Sequence, residues 1–125
     1  MTEEDKELVL IDICGRLLHN VVCSTIFGDA VVLYVDAYEG TIYIPCNEWV
    51  CDFKPYLRPM EDMTEEEVKE LYVLLCDVDR IGFPDIYKGQ DAISSLYDWL
   101  NKKMFDYRGL IPKGLALPAP KGMYK

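Results

Sequence analysis

Polar and apolar residues change period several times along this chain, and each period predicts a different element. From Leu8 to Leu18 the run Leu-Val-Leu-Ile-Asp-Ile-Cys-Gly-Arg-Leu-Leu is interrupted only by Asp12, Gly15 and Arg16. Upstream, Thr2 with Asp5 three positions later has the spacing of a capping box. The two signals predict a first helix starting at Thr2, buried on most sides because so little of it is polar, and closed by His19-Asn20.

The pattern then becomes that of strands. Val21–Phe27, Ala30–Asp36 and Thr41–Ile44 are rich in β-branched and aromatic residues. Gly28-Asp29 has the composition of a hairpin linker, and Glu39-Gly40 marks the next reversal. Val31, Leu33 and Val35 fall on one face of the second strand, with Ile42 and Ile44 in the third, which predicts an antiparallel meander. A fourth short strand is expected around Trp49–Phe53. Lys54–Pro59, bounded by prolines, is expected to leave the sheet as an irregular segment.

Helical spacing returns at Met63-Thr64-Glu65-Glu66-Glu67-Val68. Thr64 and Glu67 stand as a capping box, and Met63 and Val68 take the hydrophobic-staple positions. Val68, Leu71, Tyr72, Leu75 and Val78 then form an apolar stripe. A last helix is expected over about Asp91–Met104, burying Ile93, Leu96, Tyr97, Leu100 and Met104. Beyond it Gly109, Pro112, Gly114, Pro118, Pro120 and Gly122 exclude regular helix. Leu110, Ile111, Leu115, Ala116 and Leu117 are nonetheless too apolar for a free tail, so an extended strap is expected.

The fold class these elements define is α+β. It comprises an N-terminal helix, a three- to four-stranded antiparallel sheet with the option of curling into a small barrel, two further helices and a C-terminal strap. Residues 1–125 read as a single domain, with a globular body over 1–107 and the strap, 108–125, packed on it. Length supports this, because 125 residues can bury one core of ordinary stability without staples. Half the residues are hydrophobic and 28% are charged, a globular composition.

Charge adds an asymmetry. The net charge is −9, but residues 1–79 carry 5 basic and 18 acidic groups while residues 80–125 carry 8 basic and 4 acidic. The acidic body repels phosphate and argues against nucleic acid as its partner. It suits a basic protein partner, mimicry of nucleic acid or self-association, while the positive C-terminal third is suited to docking on the body or to an acidic partner. The N-terminus is acidic where a secretory signal would be basic, and no apolar run approaches the ~18 residues of a membrane span. The expected location is therefore the cytoplasm, with no membrane partner. The five cysteines are odd in number and form no framework, as for thiols kept reduced.

Candidate chemistry is sparse. The one histidine, His19, lies five residues after Cys14, about 140° around a helix, so the two do not face each other. Cys46 and Cys51 have a tolerable ligand spacing, but no second Cys/His pair completes a tetrahedral site. No glycine-rich phosphate loop is present, and Glu65-Glu66-Glu67 is accounted for by a helix start. No catalytic residue, metal site or cofactor is assigned. Two segments combine tyrosine and arginine, residue types enriched in binding hot spots. Tyr56 and Arg58 lie in Lys54–Pro59, and Tyr107 and Arg108 follow the last helix. These four are candidate binding residues; the alternative is that the tyrosines close the core rim while the arginines pair with local carboxylates.

Several of these segments together resemble a family of short proteins encoded by gut Bacteroidetes and their phages or mobile elements. The matching pieces are Asp12–Leu17, Lys54–Met60 followed by Met63–Glu67, Asp98–Asn101, Phe105–Ile111, Gly114–Leu117, Ala119-Pro120 and Gly122–Tyr124. Where the family carries Pro-Tyr-Gly after the first helix, this chain has Leu18-His19-Asn20. The resemblance implies a bacterial or phage accessory protein and brings no activity, ligand or catalytic residue with it. The function expected from the whole is a non-catalytic protein-interaction module, of which a phage-type inhibitor with an acidic face would be one form. The alternative is a small enzyme or ligand-binding protein, which would need a pocket gathering His19, a thiol and carboxylates.

Overall fold

A computed structural model of the chain describes residues 2–26, 28–36, 41–43, 49–50, 53–80 and 86–124. It is an α+β fold with three helices. Helix α1 spans Glu3–Arg16, and its start is the expected capping box: Asp5 N–H donates to Thr2 Oγ1 at 3.0 Å and Thr2 N–H to Asp5 Oδ2 at 3.3 Å. A single turn of 3-10 helix over Leu17–His19 follows, and Asn20 closes it in the left-handed conformation at φ 59°. The helix is not buried on most sides. Val9, Asp12, Ile13 and Arg16 face inward, whereas Cys14 and Leu18 are exposed. Neighbouring elements cover one face only, and that face includes two charged residues.

The main sheet has four strands: β1 (Val22–Thr25), β2 (Gly28–Val31), β6 (Phe53–Leu57) and β7 (Leu117–Pro118), in the order β2-β1-β6-β7. The strands β3 (Tyr34–Asp36), β4 (Thr41–Tyr43) and β5 (Trp49–Val50) form a separate three-stranded antiparallel sheet. This corrects three expectations. The strands do not form one continuous meander, because the expected second strand breaks after Val31 and its second half joins the other sheet. The main sheet is mixed, since β7 runs parallel to β6 with Tyr56 opposite Leu117, and it is not closed into a barrel. Lys54–Leu57 does not leave the sheet but lies in its interior, with Cys23 opposite Pro55. The proline is tolerated because β7 pairs only from Tyr56 onward, so on that flank Pro55 has no ladder bond to lose.

The β1–β2 hairpin closes with Thr25 opposite Gly28, so the Gly28-Asp29 pair read from the sequence as the linker lies inside strand β2. Gly28 opens β2 at φ 104°, a conformation open to glycine and strained for other residues. Helix α2 covers Glu65–Arg80 and α3 covers Ile86–Lys102, the latter beginning about a turn earlier than its apolar stripe suggested. They pack on each other, and α3 also contacts α1.

After α3 the chain crosses the core. Met104, Phe105, Leu110, Leu115 and Ala116 are buried, and Ala119 N–H donates to Leu57 O at 2.8 Å. Met104, Leu110, Leu115 and Ala116 share one core cluster with Val9 and Ile13 of α1, Val21, Cys23 of β1, Val32, and Phe53 and Leu57 of β6. Tyr124 ends this path with its hydroxyl between two strands, donating to Tyr56 O at 2.8 Å and accepting from Val22 N–H at 2.9 Å. Burial pushes the Tyr124 hydroxyl up to about 12, and likewise the Cys23 thiol up to about 12.

Candidate interaction surface

The turn after α3 organises the polar interior. Met104 adopts φ 62°, which swings Phe105 inward alongside Arg58. Arg58 N–H donates to Met104 O at 2.7 Å, and Asp106 N–H to Arg58 O at 2.9 Å. Phe105 is fully buried, with the Arg58 guanidinium 4.2 Å from its ring centroid and Trp99 stacked at 5.7 Å. The same guanidinium grips Glu67 in bidentate fashion, Nη2 to Oε1 at 2.6 Å and Nη1 to Oε2 at 2.8 Å. Glu67 Oε1 also accepts from Thr64 N–H at 3.1 Å, while Glu67 N–H donates to Thr64 Oγ1 at 3.2 Å, so the capping box of α2 is tied to β6 through one carboxylate. Arg58 holds that carboxyl at about 2, well below its ordinary value.

A second cluster lies where α1 meets the same turn. Arg16 Nε and Nη2 donate to the Asp12 carboxylate at 2.9 and 3.0 Å, one helical turn apart, and both side chains are fully buried. Arg16 Nη2 also donates to Phe105 O at 2.7 Å, while its Nη1 has no partner. Two guanidinium groups approach the Tyr107 ring, Arg16 at 5.1 Å and Arg108 at 5.2 Å from its centroid. Arg108 Nε reaches Asp12 at 3.2 Å, and Tyr107 O–H donates to Asn101 Oδ1 at 2.9 Å. A Cβ at Gly15 would meet the Asn101 amide at 3.3 Å, so the absence of a side chain there permits the α1–α3 approach. Asp106 closes the turn by accepting from Leu110 and Ile111 N–H at 2.8 and 2.9 Å.

The four residues singled out from the sequence therefore stand in three settings. Tyr107 and Arg108 share the Asp12–Arg16 cluster, Arg58 lies against the Phe105 ring, and Tyr56 donates its hydroxyl to Asp29 Oδ1 at 2.9 Å on the sheet. That bond to Asp29 raises the Tyr56 hydroxyl above its ordinary value. The structure does not gather the four into one site.

An open cleft of about 640 Å³ lies between the C-terminal strap and the start of α2. Its charged lining is mixed, with Arg58, Lys102, Lys103 and Lys121 against Glu61, Asp62 and Glu67. Neither His19 nor a cysteine lines it, so it lacks the thiol–imidazole pair that nucleophilic catalysis would need. Cys14, Cys23 and Cys76 are free; Cys46 and Cys51 lie outside the described residues. Among the described residues no three His, Cys, Asp or Glu side chains come together as a metal-binding group, and no helix is long and apolar enough to cross a membrane.

The most unusual surface is on α2. Glu70 accepts from Trp99 Nε1–H at 2.8 Å, which marks the side turned to α3, and Glu67 marks the side turned to β6. At 100° per residue, Val68 and Tyr72 lie about 160° from Glu70 and Leu75 about 140°, on the outer flank of the helix. These three side chains are 52%, 69% and 45% exposed. The sequence reading gave them as part of one apolar stripe with helical spacing and did not say what covers it. The missed signal is the width of the apolar arc: Val68, Leu71, Tyr72, Val73, Leu74 and Leu75 wrap more of the helix than a single neighbour can cover. On α3 the stripe is divided lengthwise instead, with Leu100 buried and Ile93 and Tyr97 half-exposed.

Comparison of the chain with protein-family models, with curated proteins and with solved structures found no match.

Proposed function

We propose that this chain is a non-catalytic protein-interaction module, a cytoplasmic accessory protein of bacterial or phage origin, whose docking surface is the outer flank of α2. The observation that carries the reading is the apolar stripe Val68–Tyr72–Leu75, three large apolar side chains aligned along one helix face and left in water. The start of α2 is anchored, since Glu67 in its first turn is held by Arg58, the residue that follows β6. Of Tyr56, Arg58, Tyr107 and Arg108, the exposed one is Arg108, which could add a peripheral contact; Arg58 is committed to Glu67. The cleft offers an enzyme reading carboxylates and ammonium groups but not the thiol–imidazole pair that reading calls for.

Affinity capture from the native host with the wild-type chain and with Tyr72→Asp tests the reading. The expected result is a stoichiometric partner held by the wild type and lost by the variant at unchanged melting temperature. Equal capture by both proteins would move the docking surface elsewhere.

A further inference from the structure

The cleft between the C-terminal strap and the start of α2 holds charges of both signs that do not meet. Apart from Arg58 and Glu67, which are committed to each other, its lining carries the cations Lys102, Lys103 and Lys121 and the carboxylates Glu61 and Asp62. None of these five side chains forms an ion pair or a side-chain hydrogen bond with a described residue. The two signs come from different elements. Lys102 ends α3, Lys103 follows it and Lys121 belongs to the strap, whereas Glu61 and Asp62 stand on the 3-10 turn Met60–Asp62 ahead of α2.

The fold holds these walls in place. Met63 N–H donates to Met60 O at 3.3 Å across the 3-10 turn, and Met123 N–H donates to Pro120 O at 3.1 Å across the turn that carries Lys121. On either side of Lys121, Ala119 N–H on Leu57 O and the Tyr124 hydroxyl on Tyr56 O fix the strap to β6. A ligand therefore meets backbone that is already ordered, which lowers the cost of binding.

The charge arrangement selects the ligand. A polyanion drawn to the lysines would face Glu61 and Asp62, and a polycation drawn to those carboxylates would face the three lysines. A molecule with one charge of each sign at separate ends satisfies both sets. The cleft volume of about 640 Å³ lies in the range of small-molecule sites and admits a chain of a few residues. We propose that the cleft binds a short zwitterionic peptide with both ends free. Its carboxylate lies toward Lys102, Lys103 and Lys121, its ammonium toward Glu61 and Asp62, and its middle against Ala119 and Pro120. This site is separate from the outer flank of α2 and does not depend on it.

Isothermal titration calorimetry on the full chain tests this with trialanine, its N-acetyl derivative and its C-terminal amide. Trialanine should bind saturably and each blocked form about tenfold more weakly, the loss of one charge-assisted contact. Raising the salt concentration should weaken the binding of trialanine. Glu61→Gln/Asp62→Asn should lower the affinity for trialanine and leave that for the N-acetyl form unchanged. Lys102→Gln/Lys121→Gln should do the same with respect to the amide. All four positions are exposed, so both double variants should keep the wild-type melting temperature. Absence of saturable trialanine binding would overturn the proposal, as would equal affinity for the three probes. Loss of binding on amidation alone would make the cleft a simple anion site and overturn the zwitterionic ligand. Trialanine binding insensitive to both double variants would place the peptide elsewhere on the chain and overturn the site. Host capture with Tyr72→Asp reads the α2 flank alone, so the two proposals can fail separately.

Discussion

Around Phe105 charged groups are buried, and on the outer flank of α2 apolar groups lie in water. Asp12 and Arg16 are fully buried, whereas Val68 and Tyr72 are each more than half exposed. In the first region every charge but one Arg16 nitrogen has a partner at hydrogen-bond distance, so desolvation is offset by geometry. In the second region the apolar side chains stay exposed, which is the usual mark of an interaction surface. Polarity alone would have placed these two sets of residues the other way round. What separates them is complementarity: Arg16 finds a carboxylate one helical turn away and a carbonyl and an aromatic ring in the turn after α3, whereas Tyr72 stays largely exposed.

The sharpest way to break this comparison is to remove one partner from the buried cluster. Asp12→Ala should cost about 3–5 kcal/mol in a urea titration, since it strands a buried guanidinium. The double variant Asp12→Leu/Arg16→Met should recover much of that loss, because an apolar pair avoids desolvating charge. A loss near zero in the single variant would show that Arg16 reaches water.

The Arg58–Glu67 pair gives a pH-dependent version of the same test. The Glu67 carboxyl is held at about 2 in the folded chain, against an ordinary value of 4.5. A depressed folded value means that its contribution is complete above about pH 4.5 and is lost as the pH falls toward 2. It is on the order of 3 kcal/mol. Denaturant midpoints at stepwise pH should show Glu67→Gln less stable than wild type near neutrality and converging with it near pH 2. A constant gap across that range would assign the cost to packing instead of charge.

The smallest effect belongs to the exposed flank. Val68→Ser should change stability by no more than about 0.5 kcal/mol, the usual range for surface sites. A loss of about 2 kcal/mol by thermal or denaturant unfolding would mean that Val68 is covered within the chain and that the α2 flank is not free to bind.

Local rules were legible in the sequence where the interaction closes within a few residues. The capping boxes at Thr2/Asp5 and Thr64/Glu67 appear in the structure as read, because each needs only a three-residue spacing. The Gly28-Asp29 turn signal fell inside strand β2, whereas the three helices followed from periodicity for the same reason. The place of Lys54–Leu57 did not. Proline marks a segment that cannot donate a ladder bond, but it does not say that a two-residue strand from the far end of the chain will leave that flank unpaired at Pro55. The four Tyr/Arg candidates were recognised as residue types, yet Tyr56 faces Asp29 and Arg58 faces Glu67, pairings that depend on which strands are neighbours.

By itself, then, the sequence determined the α+β class, the helix starts and a tail too apolar to hang free, since these depend on propensity, local hydrogen bonds and total hydrophobic content. Tertiary structure decided which apolar face is covered and which charge is buried. A helix with an apolar arc as wide as that of α2 has two faces it could bury, and only the positions of α3 and β6 select one and leave Val68, Tyr72 and Leu75 outside. A run such as Leu8–Leu18 does not reveal that its inward face includes Asp12 and Arg16, because their compensating groups, Phe105 O and Arg108, come from about ninety residues away. Contacts of that sequence separation leave no periodic trace in either partner.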